Sequence, residues 1–134
     1  MRRFRSILGF WVLALAASGG LFAGADRVMA QAGCTGFQIG TTTAAPDSVA
    51  PGGTETINTQ ICSGTAASNI IIDLEIVDAG GVKVGQILFT GQSFAAGETK
   101  SFQWPYAVAP AQPPGLLTVK VGVFTAAWQL HQWN

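Results

Sequence analysis

The chain has 134 residues, 49 % hydrophobic and only 10 % charged, and its seven Lys and Arg balance its seven Asp and Glu. That length holds one domain. All four arginines lie within residues 1–32, so residues 33–134 keep Lys83, Lys100 and Lys120 against Asp47, Glu55, Asp73, Glu75, Asp78 and Glu98, and a net negative chain without a basic stripe excludes nucleic-acid binding.

In chain order, Arg2, Arg3 and Arg5 are followed by an apolar run from Ile7 to Phe22 and then by small residues ending in Ala30-Gln31-Ala32. This is the order of a secretory signal, with cleavage expected after Ala32. The run is interrupted by Ser18, Gly19 and Gly20 and falls short of the roughly 20 apolar residues that span a bilayer. The sequence therefore predicts a signal at residues 1–32, a single mature domain at residues 33–134, and a secreted or periplasmic protein with no membrane contact after cleavage.

Past the signal no apolar stripe of helical period is long enough for a helix, and Thr, Val, Ile and Gly dominate between recurrent turn residues. A first strand is predicted over Phe37 to Thr43. Pro51-Gly52-Gly53 turns the chain into Thr54 to Cys62, where Ile57, Thr59 and Ile61 share a face. The clearest alternation runs from Asn69 to Val77, with Ile70, Ile72, Leu74 and Ile76 inward and Asp73 and Glu75 outward. Asp78-Ala79-Gly80-Gly81 reads as a hairpin turn that returns as Val82 to Thr90. An odd loop would put Val84 and Leu88 on the inner face. Thr99 to Trp104 is predicted to stop at Pro105, and the Pro-rich segment Pro110 to Gly115 to stay out of any central strand. Leu116 to Phe124 alternates again, with Leu117, Val119, Val121 and Val123 inward and Lys120 outward. Six or seven such strands imply an all-β, two-sheet antiparallel sandwich.

Cys34 and Cys62 are the only cysteines. In an oxidising compartment such a pair forms a disulfide, and because Cys62 faces away from Ile57 and Ile61, the bond is expected to pin the N-terminal arm to the surface or margin of a sheet. His131 is the sole imidazole and no C-x-x-C spacing occurs, so neither a metal nor a cofactor is expected.

Three segments together resemble a known class: Ser48-Val49-Ala50-Pro51-Gly52-Gly53, Ser93-Phe94-Ala95-Ala96-Gly97-Glu98 running into Thr99 to Phe102, and the tail Gly122-Val123-Phe124, Trp128, Trp133-Asn134. The stretch from Thr41 to Asn134 resembles the immunoglobulin-like or fibronectin-like accessory domains of secreted bacterial glycoside hydrolases of cellulase type. The resemblance implies a non-catalytic spacer or carbohydrate-binding module, with a polysaccharide or a glycoside hydrolase as partner. Domains of that kind continue past Trp-Asn into a final strand, which implies an open edge beside Leu117 to Val123. A truncated gene product, a second copy, or a partner adding its own strand would account for that edge; a free-standing adhesion or assembly protein is the alternative.

Candidate chemistry is sparse, and no catalytic residue is expected. Asp73 and Glu75 lie on one strand face at a spacing near that of glycosidase carboxylates, yet read as a solvated outer face. His131 has no acidic neighbour in sequence, and no G-x-S-x-G elbow or phosphate-binding glycine loop occurs. Trp128, Trp133 and Tyr106 are the candidate carbohydrate-binding residues, since flat rings with polar tips stack on sugars. Trp104 shares a strand face with Phe102 and is assigned to the core.

Overall fold

The computed structural model describes residues 33–134; the predicted signal at residues 1–32 lies outside them. Seven strands follow in order: β1 (Phe37–Ala45), β2 (Thr54–Ser63), β3 (Ala67–Val77), β4 (Lys83–Phe94), β5 (Glu98–Ala107), β6 (Thr118–Thr125) and β7 (Leu130–Trp133). They form two antiparallel sheets, β1-β2-β5 and β4-β3-β6-β7. Three strands facing four, with the chain crossing between the layers, is the arrangement of an immunoglobulin-like sandwich. Among the described residues there is no helix long and apolar enough to cross a membrane.

Alternation builds the core. Ile57, Thr59 and Ile61 from β2, Ile72 and Leu74 from β3, and Val121 and Val123 from β6 are fully buried, and Phe102, Trp104 and Tyr106 close the layer from β5. Two hydroxyls of β2 follow this pattern inward, and both are paired: Thr59 shares a 2.8 Å hydrogen bond with the hydroxyl of Thr42 on β1, and Ser63 Oγ donates to the Thr65 carbonyl at 2.7 Å.

Three expectations change. Val77 does pair with Lys83 across an odd, five-residue turn, but the register then shifts before Ile76 pairs with Gly85. That bulge reverses the alternation. Leu88 consequently stands opposite Asp73 on the outer face, and Ile87 and Phe89 point inward instead. The turn is held by Asp78, whose Oδ1 accepts 2.9 Å bonds from the N–H groups of Gly80 and Val82.

Pro105 does not stop β5, which continues to Ala107 in register with Thr54 on β2. β5 is the edge of its sheet, so the missing N–H of Pro105 leaves no neighbour unpaired and discourages another strand from adding there. The other long edge, β4, is covered in part by side chains. Lys100 donates to the carbonyl of Ser93, and Gln92 to that of Thr90.

The edge of β6 is not open along its length as expected. β7 pairs with it, Gly122 opposite Trp133, Val123 opposite Gln132 and Phe124 opposite Leu130. Asn134 ends this ladder with its side chain: Oδ1 accepts from the N–H of Val121 at 2.7 Å, and its own N–H reaches the Val121 carbonyl at 3.2 Å. The Trp-Asn that the resemblance placed before a missing strand is itself the end of the closing strand.

Cys34 and Cys62 are disulfide-bonded. Cys62 lies between Gln38 on β1 and Thr99 on β5, with its side chain on the face opposite Ile61, so the bond ties the N-terminal arm to the outside of the three-stranded sheet, as the alternation predicted.

Candidate functional site

The two outer faces of the sandwich differ in chemistry. On the three-stranded sheet the outward positions include Thr56, Asn58, Gln60, Thr99, Ser101 and Gln103, an ordinary solvated surface. On the four-stranded sheet they include Ile71, Leu88, Phe124 and Trp133.

Cross-strand register assembles this second face. Ile71 pairs with Phe124, Asp73 with Gly122 and Glu75 with Lys120. Gly122 in turn pairs with Trp133. The indole of Trp133 folds down over Gly122: a Cβ there would stand 2.2 Å from two of its ring carbons and 2.4 Å from the ring of Phe124. Only glycine lets the indole reach the sheet surface. Phe124 is the hub of the aromatic group, with Trp128 at 5.4 Å and 52° and Trp133 at 5.8 Å and 60° between ring planes.

Trp128 arrives by an unusual route. It ends the β6–β7 turn in the left-handed region, at φ 60. Its N–H donates to the carbonyl of Thr125, the Thr125 N–H to the carbonyl of Gln129, and the Gln129 N–H to Thr125 Oγ1. The left-handed position of such hairpins ordinarily takes glycine, and a side chain there costs roughly 1 kcal/mol. The cost falls on a tryptophan that remains 52 % exposed. Leu130 beside it is 60 % exposed.

A polar group adjoins the rings. Gln86 Nε2 donates to both carboxylate oxygens of Asp73 at 3.0 Å and, at 3.3 Å, to Glu75, while its Oε1 accepts from Lys83 Nζ at 2.9 Å. Lys83 also pairs with Glu75 at 2.9 Å. Asp73 is therefore not part of a solvated face as predicted: it is 3 % exposed, and this burial is the main cause that pushes its carboxyl above the ordinary value, with the Gln86 bond opposing and the Glu75 charge adding.

That shift carries a sign. A carboxyl with a raised pKa holds its proton more tightly in the folded than in the unfolded state, so stability is full below the ordinary value and falls as pH rises through the folded one. Glu55 is raised in the same way, by burial and then by the charge of Asp47. Thermal stability should thus increase as pH is lowered from neutral toward the ordinary values of 3.8 and 4.5. Asp73→Asn should melt higher than the parent at pH 7 with the difference shrinking toward pH 4; a constant or inverted difference in calorimetry would contradict the assignment.

Of the three residues predicted to bind carbohydrate, the structure brings Trp128 and Trp133 together and separates Tyr106 from them. Tyr106 is 6 % exposed on the inner side of the other sheet, edge-on to Trp104 at 5.1 Å, with its hydroxyl 3.4 Å from the Val84 carbonyl. The signal was present in the sequence, since Phe102, Trp104 and Tyr106 alternate; ending the strand at Pro105 hid it. Phe124 was missed as a site residue although it shares the outward parity of Lys120. His131 packs against Phe37, ring centres 4.9 Å apart. Among the described residues no cluster of His, Cys, Asp and Glu could hold a metal.

The fold and this face together define an immunoglobulin-like β-sandwich with one polar and one aromatic outer surface. No protein-family model matches the sequence, and no curated protein does. Among solved structures the chain is similar to the C-terminal domain of Wzt, with a TM-score of 0.57 and 13 % identity over 69 % of this chain. It is also similar to the alkylpurine DNA glycosylase AlkC of Pseudomonas fluorescens bound to DNA containing an abasic site analog (TM-score 0.47, 13 % identity, 75 % of this chain and 29 % of that one). A third is the sporulation control protein Spo0M of Bacillus subtilis (TM-score 0.45, 18 % identity, 66 % and 42 %). The chain spans 62 % of the length of the Wzt domain. At 13 % identity the likeness to the Wzt domain is one of fold alone.

Proposed function

We propose that this chain is an exported, non-catalytic sandwich module that binds carbohydrate on the outer face of the β4-β3-β6-β7 sheet, through Trp128, Phe124 and Trp133. The observation that carries the reading is the solvent-exposed Trp128 held at φ 60. Backbone strain that persists at an exposed aromatic is accounted for by a use of the ring in display, and an indole stacked beside hydrogen-bonding side chains suits a sugar's apolar face and hydroxyl rim. The intrachain disulfide is compatible with an oxidising, secreted or periplasmic setting. An accessory role beside a polysaccharide-degrading enzyme is the setting that the sequence resemblance implies. The competing reading, assembly through an open strand edge, loses much of its premise because β7 and Asn134 occupy that edge from Val121 to Phe124.

Trp128 provides the test that Trp133 cannot, because Trp133 also roofs Gly122. In Trp128→Gly the relief of left-handed strain offsets the lost contact with Phe124, which is worth about 1 kcal/mol. The melting midpoint should move by only a few degrees, while retention on a panel of immobilised polysaccharides is lost. A variant that keeps full retention would remove Trp128 from the site and the reading with it.

A further inference from the structure

Resting on that reading, we infer that the face takes a single, uncharged glycan chain, and neither an acidic polysaccharide nor the flat surface of an insoluble one. Two independent observations carry this.

The first is shape. The rings of Trp128 and Trp133 are inclined at 52° and 60° to that of Phe124, with centres within 6 Å of it. No plane lies against all three rings. The ordered surface of an insoluble polysaccharide is planar and rigid, so it would meet at most part of the group. One chain, free to turn about its glycosidic bonds, can change inclination from one sugar ring to the next and follow the bend.

The second is charge. Lys83 is engaged by Glu75 and by Gln86 Oε1, both at 2.9 Å, and Lys120 stands directly across the strand pair from Glu75. The two lysines of this face are thus matched by two carboxylates, Glu75 paired with Lys83 and facing Lys120, and Asp73 buried within reach of the Lys83 charge, so the face carries no net positive charge. A carboxylated or sulfated polymer would find no net positive face and would be repelled by a net negative domain. Hydroxyl groups both donate and accept, and the group offers both: among the described residues the ammonium of Lys83 uses two of its three N–H donors, and Glu75 Oε2 accepts no bond from another side chain. The exposed amide of Gln86 is fixed by Asp73 beneath it, which makes Asp73 a positioning residue.

The probes that separate these cases are soluble neutral polymers (mixed-linkage β-glucan, xyloglucan, glucomannan, dextran), soluble polygalacturonate and alginate, and microcrystalline cellulose and chitin. They would be presented to residues 33–134 in affinity electrophoresis or in sedimentation with the insoluble material. Retardation is expected with at least one soluble neutral polymer, little changed between 0.05 and 0.5 M salt because no ion pair forms. It should weaken about tenfold in Trp128→Ala, as loss of one stacked ring predicts, and several-fold in Gln86→Ala. Binding to polygalacturonate or alginate that fades with salt, or to crystalline cellulose or chitin, overturns the inference; it leaves the carbohydrate face intact where Trp128→Ala weakens that binding, and overturns both where Trp128→Ala leaves it unchanged. Absence of binding to every probe overturns both. A dimer that forms at micromolar concentration, is lost in Trp128→Ala and is not displaced by any glycan overturns both as well, and makes a second copy the occupant.

Discussion

Replacing Cys34 and Cys62 together by serine should lower the stability of residues 33–134 by about 3 to 4 kcal/mol, the loop-closure entropy released when a cross-link over some thirty residues is lost. The two cysteines are 28 residues apart, and the loop they close contains all of β1 and most of β2. For a domain of about 100 residues this corresponds to a fall in Tm of roughly 15 °C or more. The fold itself should survive. The disulfide lies outside the three-stranded sheet, and the core of Ile57, Ile61, Ile72, Leu74, Val121 and Val123 does not touch it by alternation. Calorimetry of the double variant, with near-ultraviolet circular dichroism to confirm an intact aromatic core, tests this. A change below about 1 kcal/mol would mean that the hydrogen bond from Gly64 N–H to the Gly36 carbonyl already anchors the arm.

The second large effect is expected at Gly122. Its Cβ position is occupied by Trp133 at 2.2 Å and Phe124 at 2.4 Å, separations that real side chains do not tolerate. Gly122→Ala must therefore lift the indole, pull β7 away from β6, or both. The cost should be about 1 to 3 kcal/mol, the range for an inserted methyl in a packed site. Here stability and binding should fall together, because the residue that seats Trp133 also seats part of the proposed platform. That separates it from Trp128→Gly, where binding is lost with little change in stability. Pairing Gly122→Ala with Trp133→Ala closes the argument: if the methyl acts only by displacing the indole, adding it to the Trp133→Ala background should cost much less than adding it to the parent. Equal costs in the two backgrounds would show that the strand pairing, and not the indole, is what Gly122 protects.

How much of this was legible in the sequence can be read from particular residues. Ile70, Ile72, Leu74 and Ile76 occupy every second position, and the structure buries all four, because period-two polarity on a half-buried strand is a local property. The outward parity of Asp73 was equally local and equally right. What alternation could not supply was the covering of Asp73 by Gln86, which comes from another strand, or the bulge after Lys83 that turned Leu88 outward. Bulges depend on how two strands fit, not on either alone. Pro105 shows the same limit. A proline is a strand breaker or a harmless edge residue according to the strand order, and the order β1-β2-β5 is a tertiary fact. The four residues of β7 are too few for any periodicity to register.

For the candidate site, the sequence placed tryptophans at 128 and 133 on a distinctive tail and left Tyr106 among them. It could not tell that the first two converge on Phe124 while the third turns into the core. The sequence by itself determined the first six strands in outline, the inward faces of β2, β3 and β6, the acidic balance of residues 33–134 and the pairing of its two cysteines, since each follows from residue type and spacing. Only the tertiary structure decided which strand closes the sheet, which carboxylate is buried and which aromatic rings share a face, because each depends on register between segments far apart in the chain.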